Sequence, residues 1–228
     1  MHKKNHKLRD VEEEVLECLY DLHASLCDDS YVKMKQILEN IGQNVSKTQL
    51  TNIVQRKLEK LGYVDYIQYD GVRLTPEGYE IARKIARNHR LAEAMLFQIF
   101  KVPFNIIHEQ ACLLEHAISD KMAKYIYDAL PEKITPFGIH IPMKEGDVWE
   151  CSDQTLSDTP AGSSVTLARV SIHAYATAET LMSYGIASIG IKMKVQKHEE
   201  NKGVSVKISG KEVMIPFGVA KILYVDPA

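Results

Sequence analysis

Between residues 46 and 74 the spacing of apolar side chains changes abruptly, and few folds accommodate both halves of the pattern. From Ser46 to Leu61 the apolar positions Leu50, Val54, Leu58 and Leu61 fall three or four apart, the spacing of one helix face. Ser46 is a natural N-cap with Gln49 three residues on to complete a capping box, and Gly62 closes the helix. From Tyr63 the period drops to two through Tyr69, and Val72-Arg73-Leu74 follows Asp70-Gly71, a pair suited to a two-residue hairpin turn. A capped helix followed at once by a hairpin predicts a helix-turn-helix with a wing.

The preceding residues supply the rest of that unit. Asp10, with Glu13 as its capping-box partner, predicts a first helix carrying Val11, Val15, Leu19 and Leu22 and ending near Ser25. Ser30 is placed to cap a short second helix with Val32, Ile37 and Leu38, ending at a Gly42-Gln43-Asn44 turn. The net charge of -2 does not suggest a nucleic-acid binder, but distribution decides. Residues 47 to 60 carry Lys47, Arg56, Lys57 and Lys60 against the single acid Glu59, and Lys3, Lys4, Lys7 and Arg9 precede them. Lys47, Thr48, Gln49 and Asn52 stand at the start of the third helix, where side chains reach base edges or phosphates, and Arg56 and Lys57 extend the basic face.

After the hairpin, Thr75-Pro76 reads as an N-cap followed by proline at the first helical position, opening a long helix to about Phe100. Further helices are expected over Ile106 to Ile118 and from a Ser119 cap to just before Pro131, followed by a Pro/Gly-rich linker through Pro142. Beyond Asp147 the pattern turns to short strands, Val165 to Ile172, Gly190 to Gln196, Val204 to Ser209 and Val213 to Tyr224, with a helical stretch from Ala178 to Tyr184 closed by Gly185. A small barrel fits these. No signal peptide or membrane span is read, and four scattered cysteines argue against a disulfide framework, so a reducing cytoplasm is expected.

The middle helices are dense in ligand types: His89 and Glu93, then His108, Cys112, Glu115 and His116. At about 100° per residue, the last four would fall within roughly a 100° arc of one α-helix. Imidazole, carboxylate and thiolate together suit a divalent first-row transition metal better than Mg²⁺ or Ca²⁺, which prefer oxygen shells. Singly, each has an ordinary structural use, as an i,i+4 surface pair or a small core thiol. Three classes stay open on the residues alone: a metal-responsive regulator, a metal-dependent hydrolase with an activated water, and a winged-helix regulator of a small organic ligand.

Thr75-Pro76-Glu77-Gly78, Asn88-His89-Arg90-Leu91-Ala92-Glu93 and His108-Glu109-Gln110-Ala111-Cys112 with Glu115-His116 and Ser119-Asp120 resemble the diphtheria-toxin-repressor family of iron-dependent regulators. Thr135-Pro136-Phe137-Gly138 through Ile141-Pro142 is similar to that family's segment closing the dimerisation domain, and residues 160 to 226 to its SH3-like domain. The resemblance implies a mainly α fold with β: a winged helix-turn-helix over 1–74, a helical metal-binding and dimerisation domain over 75–145, and an SH3-like β-barrel over 146–228. It implies a primary metal site of Glu14, Cys112, Glu115 and His116 and an ancillary site of His89, Glu93 and His108. The family's third domain usually lends further ligands, but no acid-plus-amide pair aligns here; His173 is the nearest candidate and Glu179 a poorer one, and a core or surface role is expected for either. Glu14 stands where iron-sensing members carry methionine, as in the manganese-sensing branch, while Cys112 keeps the iron-type thiolate. The implied protein is not an enzyme but a homodimeric repressor on double-stranded palindromic operator DNA, controlling metal-uptake or metal-homeostasis genes. Its implied metal is Fe²⁺, with Mn²⁺ open and Co²⁺, Ni²⁺ or Zn²⁺ as substitutes.

Overall fold

The structure, a computed structural model, describes residues 8–26, 30–41, 45–144, 154–171 and 178–228. Lys3, Lys4, Lys7, the Gly42-Gln43-Asn44 turn and His173 lie outside them. Packing divides the chain into two compact units, Met1–His89 with Pro142–Trp149, and Arg90–Ile141 with Glu150–Ala228.

In the first unit, α1 (Asp10–Leu26), α2 (Met34–Asn40) and α3 (Lys47–Ile53) precede a hairpin of β1 (Val64–Ile67) and β2 (Gly71–Leu74). The expected apolar faces form one core: Val15, Leu19, Ile37, Leu50, Val54 and Leu58 are buried together with Val32, Val64 and Val72. Helix starts differ from expectation at two places. The capping carboxylate of α1 is Glu12, whose Oε2 accepts from the Arg9 backbone N–H at 3.0 Å, so the helix is capped one residue before the Asp10-Glu13 pair. Nor does α2 begin at Ser30. Val32 is extended and exchanges both backbone hydrogen bonds with Val72 (2.8 and 2.9 Å), and Lys33 becomes the N-cap, its backbone N–H donating to Gln36 Oε1 at 2.9 Å. A β-branched residue with a strand edge beside it gains more from the bridge than from a helical turn.

That bridge also explains the hairpin. Ile67 pairs with Gly71, so the loop is Gln68-Tyr69-Asp70 rather than the two-residue Asp70-Gly71 turn, and positive φ falls on Tyr69 as well as on Gly71. Gly71 is needed for approach: a Cβ there would sit 2.1 Å from the Val32 carbonyl oxygen. The expected Ser46–Gln49 box is present, with Gln49 N–H donating to Ser46 Oγ at 3.3 Å and Ser46 N–H to Gln49 Oε1 at 2.9 Å. Beyond Ile53 this helix widens into a π-helical turn, Val54–Leu58.

Helix α4 (Pro76–Gln98) begins where Thr75-Pro76 predicts, with Gly78 N–H donating to Thr75 Oγ1 at 3.0 Å. It runs unbroken past the division at His89/Arg90. In the second unit, α5 (Ile107–Leu114) stops short of Ile118 and tightens into a 3-10 turn, Glu115–Ala117, before Ser119 caps α6 (Asp120–Ala129) as expected. The stretch from Pro131 is not a linker. Phe137, Ile139 and Ile141 are buried, Ile134 and His140 form a β-bridge, and Val170 N–H donates to the Phe137 carbonyl at 2.9 Å. Prolines and a glycine shape the path of this segment while its apolar side chains supply core.

The C-terminal strands are β3 (Ser164–Val170), β4 (Lys192–Glu199), β5 (Gly203–Ile208), β6 (Lys211–Ile215) and β7 (Leu223–Pro227), antiparallel in the order β6-β5-β4-β3-β7. The single strand expected from Val213 to Tyr224 is two, because Pro216 ends β6 and starts a four-residue helical turn, Phe217–Ala220. Helix α7 (Ala178–Ser183) and Gly185 lie where the sequence places them.

Candidate metal centre and nucleic-acid interface

His89 and Glu93 stand one turn apart on α4, and both are buried, Glu93 completely. In the second unit, His108 and Cys112 are likewise one turn apart on α5. The imidazole of His108 faces two donors: Nδ1 lies 3.6 Å from Glu93 Oε1, and Nε2 lies 3.8 Å from Cys112 Sγ. Where α5 tightens, each residue turns about 120° instead of about 100°. Glu115 is buried there, and its Oε1 is 3.5 Å from Nε2 of half-exposed His116. The four donors expected on one α-helical arc are therefore presented by one α-helical turn and one 3-10 turn.

In the first unit, His89 Nδ1 lies 3.9 Å from Glu17 Oε1. Glu17 is absent from the sequence-based donor set. Its signal was available, because it follows Glu14 by three residues and so lies close to the same face of α1. Both carboxylates are half-buried. Glu179 is exposed on α7.

The donor set fits a transition metal. Ligands bonded to one ion at about 2.0 to 2.3 Å in tetrahedral or octahedral geometry stand roughly 3 to 4 Å apart, the range of the pairs above. A fully buried carboxylate next to imidazoles is costly unless a cation neutralises it. Cys18 contrasts with Cys112: it is a core residue whose thiol is pushed above the ordinary range, first by burial and then by Asp21 and Glu17. Cys112 is part-exposed and faces an imidazole.

Helix α3 with its π turn buries Leu50, Ile53, Val54 and Leu58 on one side and exposes Lys47, Thr48, Gln49, Asn52 and Arg56 on the other, with Lys57 half-buried. The face opens onto a groove that Arg9 also lines. Gln49 is already engaged, since its Oε1 accepts the Ser46 N–H. A base contact from Gln49 would draw on its amide Nε2.

Imidazole, carboxylate and thiol side chains thus face one another on the helical segment of a chain that also carries a winged helix-turn-helix. Residues 75–142 match the family described as iron dependent repressor, metal binding and dimerisation domain. The diphtheria toxin repressor of Corynebacterium diphtheriae is 30% identical over 136 residues, 59% of this chain and 58% of that protein. The chain thus aligns with less than two thirds of the length of that relative. The iron-dependent repressor IdeR of Mycobacterium tuberculosis is 25% identical over 232 residues, covering 96% of this chain and 98% of its own. Among solved structures, a manganese-dependent transcriptional repressor in complex with manganese superposes with a TM-score of 0.80 at 27% identity, over 95% of this chain and all of that one. IdeR of T. acidophilum, at 22% identity and a TM-score of 0.76 over 98% of this chain and 100% of that one, shares the fold. Residues 75–142 are thus similar to that metal-binding and dimerisation domain, and the chain is similar to diphtheria toxin repressor and IdeR in sequence and to a metal-dependent transcriptional repressor in structure. Among the described residues, no helix is long and apolar enough to cross a membrane.

Proposed function

We propose that this chain is a cytoplasmic, non-enzymatic, metal-activated repressor that binds palindromic operator DNA as a homodimer and controls metal-uptake or metal-homeostasis genes. The observation that carries the reading is the approach of Glu17 on α1 to His89 on α4. It brings a carboxylate from the first helix of the winged unit against the helix that bears the metal donors, so a charge held there acts directly on the DNA-binding unit.

Three functional segments are proposed: 1–74 for DNA, 75–145 for metal and dimerisation, and 146–228 as the SH3-like domain. Cys112, Glu115 and His116, with Glu14 from α1, would hold the activating ion. His89, Glu93 and His108 would hold the ancillary one, and Glu17 joins the donors around His89. Fe²⁺ is the proposed activator, with Mn²⁺, Co²⁺, Ni²⁺ and Zn²⁺ as substitutes. A bound divalent ion supplies the positive charge that lets these buried acids converge. The residues do the rest: Glu17, against His89 on α4, would couple a charge held there to α1 and so to the winged unit. Exposed Leu113, Met122 and Tyr125 on α5 and α6 are the apolar groups offered to a second copy. Lys47, Arg56 and Lys57 meet phosphates, while Thr48, Asn52 and the Gln49 amide face base edges.

The test is binding to duplexes selected from random-sequence DNA, with and without chelator, across a salt series. Affinity should fall on chelation by about 5- to 150-fold, the usual range for a coupled site. Arg56→Gln should flatten the dependence of log affinity on log salt by about 0.9, one phosphate contact. Equal affinity after exhaustive chelation would remove metal activation from the proposal.

A further inference from the structure

The tip of the hairpin combines three features that the fold alone does not require. Tyr69 has φ of 74°, a conformation that glycine or asparagine adopts at little cost and a bulky side chain adopts with strain. Its side chain gains nothing from burial, being 87% exposed at the centre of the Gln68-Tyr69-Asp70 loop. The tip is nevertheless held firmly. Asp70 N–H donates to the Ile67 carbonyl at 3.1 Å, and Lys33 Nζ donates to the Tyr69 carbonyl at 2.7 Å. Lys33 is itself fixed as the N-cap of α2, next to the Val32–Val72 bridge. A strained, exposed aromatic on a braced loop is the signature of a group kept for contact rather than for folding.

We propose that Tyr69 is a DNA-contacting residue of the wing, its ring packing on the deoxyribose face of the duplex and its hydroxyl donating to a phosphate oxygen. Lys33 delivers an ammonium to the same backbone. This rests on the DNA-binding reading above and adds a second contact point, away from α3. The occupant follows from the chemistry at the tip: an aromatic ring and half-exposed Ile67 suit sugar faces, and Lys33 suits the phosphates between them. Asp70 is the acid in the loop and sits where it closes the turn through its backbone.

The experiment uses the full chain loaded with Mn²⁺ and a duplex recovered by the parent from a random-sequence library, together with thermal melting of the metal-free protein. Tyr69→Asn should bind that duplex about five- to tenfold more weakly, while its melting midpoint stays level or rises by about 2 to 4 °C as the strain is relieved. Tyr69→Phe should bind between the parent and the Asn variant, because the ring stays while the hydroxyl's charge-assisted hydrogen bond to a phosphate oxygen is lost. A purely structural tyrosine would move both readings of the Asn variant downward together, and that result overturns the proposal. An Asn variant that binds as the parent does overturns it too, with the DNA-binding reading intact. A parent that retains no duplex overturns that reading and this assignment with it.

Discussion

Cys112→Ser should reduce activation by Fe²⁺, Co²⁺ and Ni²⁺ by at least about tenfold to a hundredfold, and activation by Mn²⁺ far less. Loss of an outer-shell partner alone costs about that much in metal affinity, and a thiolate contributes most to the softer ions late in the divalent series. The hydroxyl of serine keeps the volume and removes the soft donor, so the two effects separate. The structure sharpens this test by setting Cys112 Sγ 3.8 Å from His108 Nε2. Cys112 is assigned to the activating set and His108 to the ancillary set, yet the two side chains face each other. His108→Ala therefore belongs beside Cys112→Ser, in anaerobic DNA-binding titrations with cysteine oxidation excluded. A serine variant that answers Fe²⁺ like the parent, with a His108 variant that answers no metal, would mean that the two sets have been assigned the wrong way round.

Gly78→Ala should destabilise the winged unit by on the order of 3 kcal/mol, the upper end of overpacking costs in a tight core. A Cβ at this position would lie 1.8 Å from the Tyr63 carbonyl oxygen. Backbone, not a flexible side chain, stands in the way, so either the first turn of α4 or the start of the hairpin must move. Because α4 carries both His89 and Glu93, the same displacement should weaken metal-dependent DNA binding beyond what lost stability explains. Denaturant titration of the metal-free protein measures the first effect, and DNA titration at saturating metal measures the second. An alanine variant within about 0.5 kcal/mol of the parent, the scatter of an ordinary surface substitution, would contradict the close approach.

Local chemistry is where the sequence was most legible. Ser46 with Gln49, Thr75 with Pro76, and Ser119 each mark a helix start through hydrogen bonds within three residues, and each is found where expected. Apart from the Arg9–Glu12 cap of α1, one residue before the expected pair, the errors come from partners distant in sequence. Ser30 yields to Lys33 because Val32 is captured by Val72, and the same bridge uses Gly71 for close approach, which shifts the turn onto Tyr69. Pro131 to Pro142 reads as a linker by composition, yet Phe137 and Ile139 are buried by neighbours that composition cannot name. The metal donors were legible as residue types at helical spacing. Glu17 shares a helix face with Glu14, but its contact with His89 spans two helices far apart in the chain and is invisible to spacing alone.

Metal affinity measured with and without bound duplex tests the central claim most directly, since coupling between two sites must be reciprocal. Calorimetric titration of Mn²⁺ into the full chain, alone and saturated with its selected duplex, should show tighter metal binding in the complex. The gain should equal the factor by which Mn²⁺ tightens the duplex, within about 5- to 150-fold. Metal affinity unchanged by DNA would contradict metal activation, however tightly each ligand binds by itself.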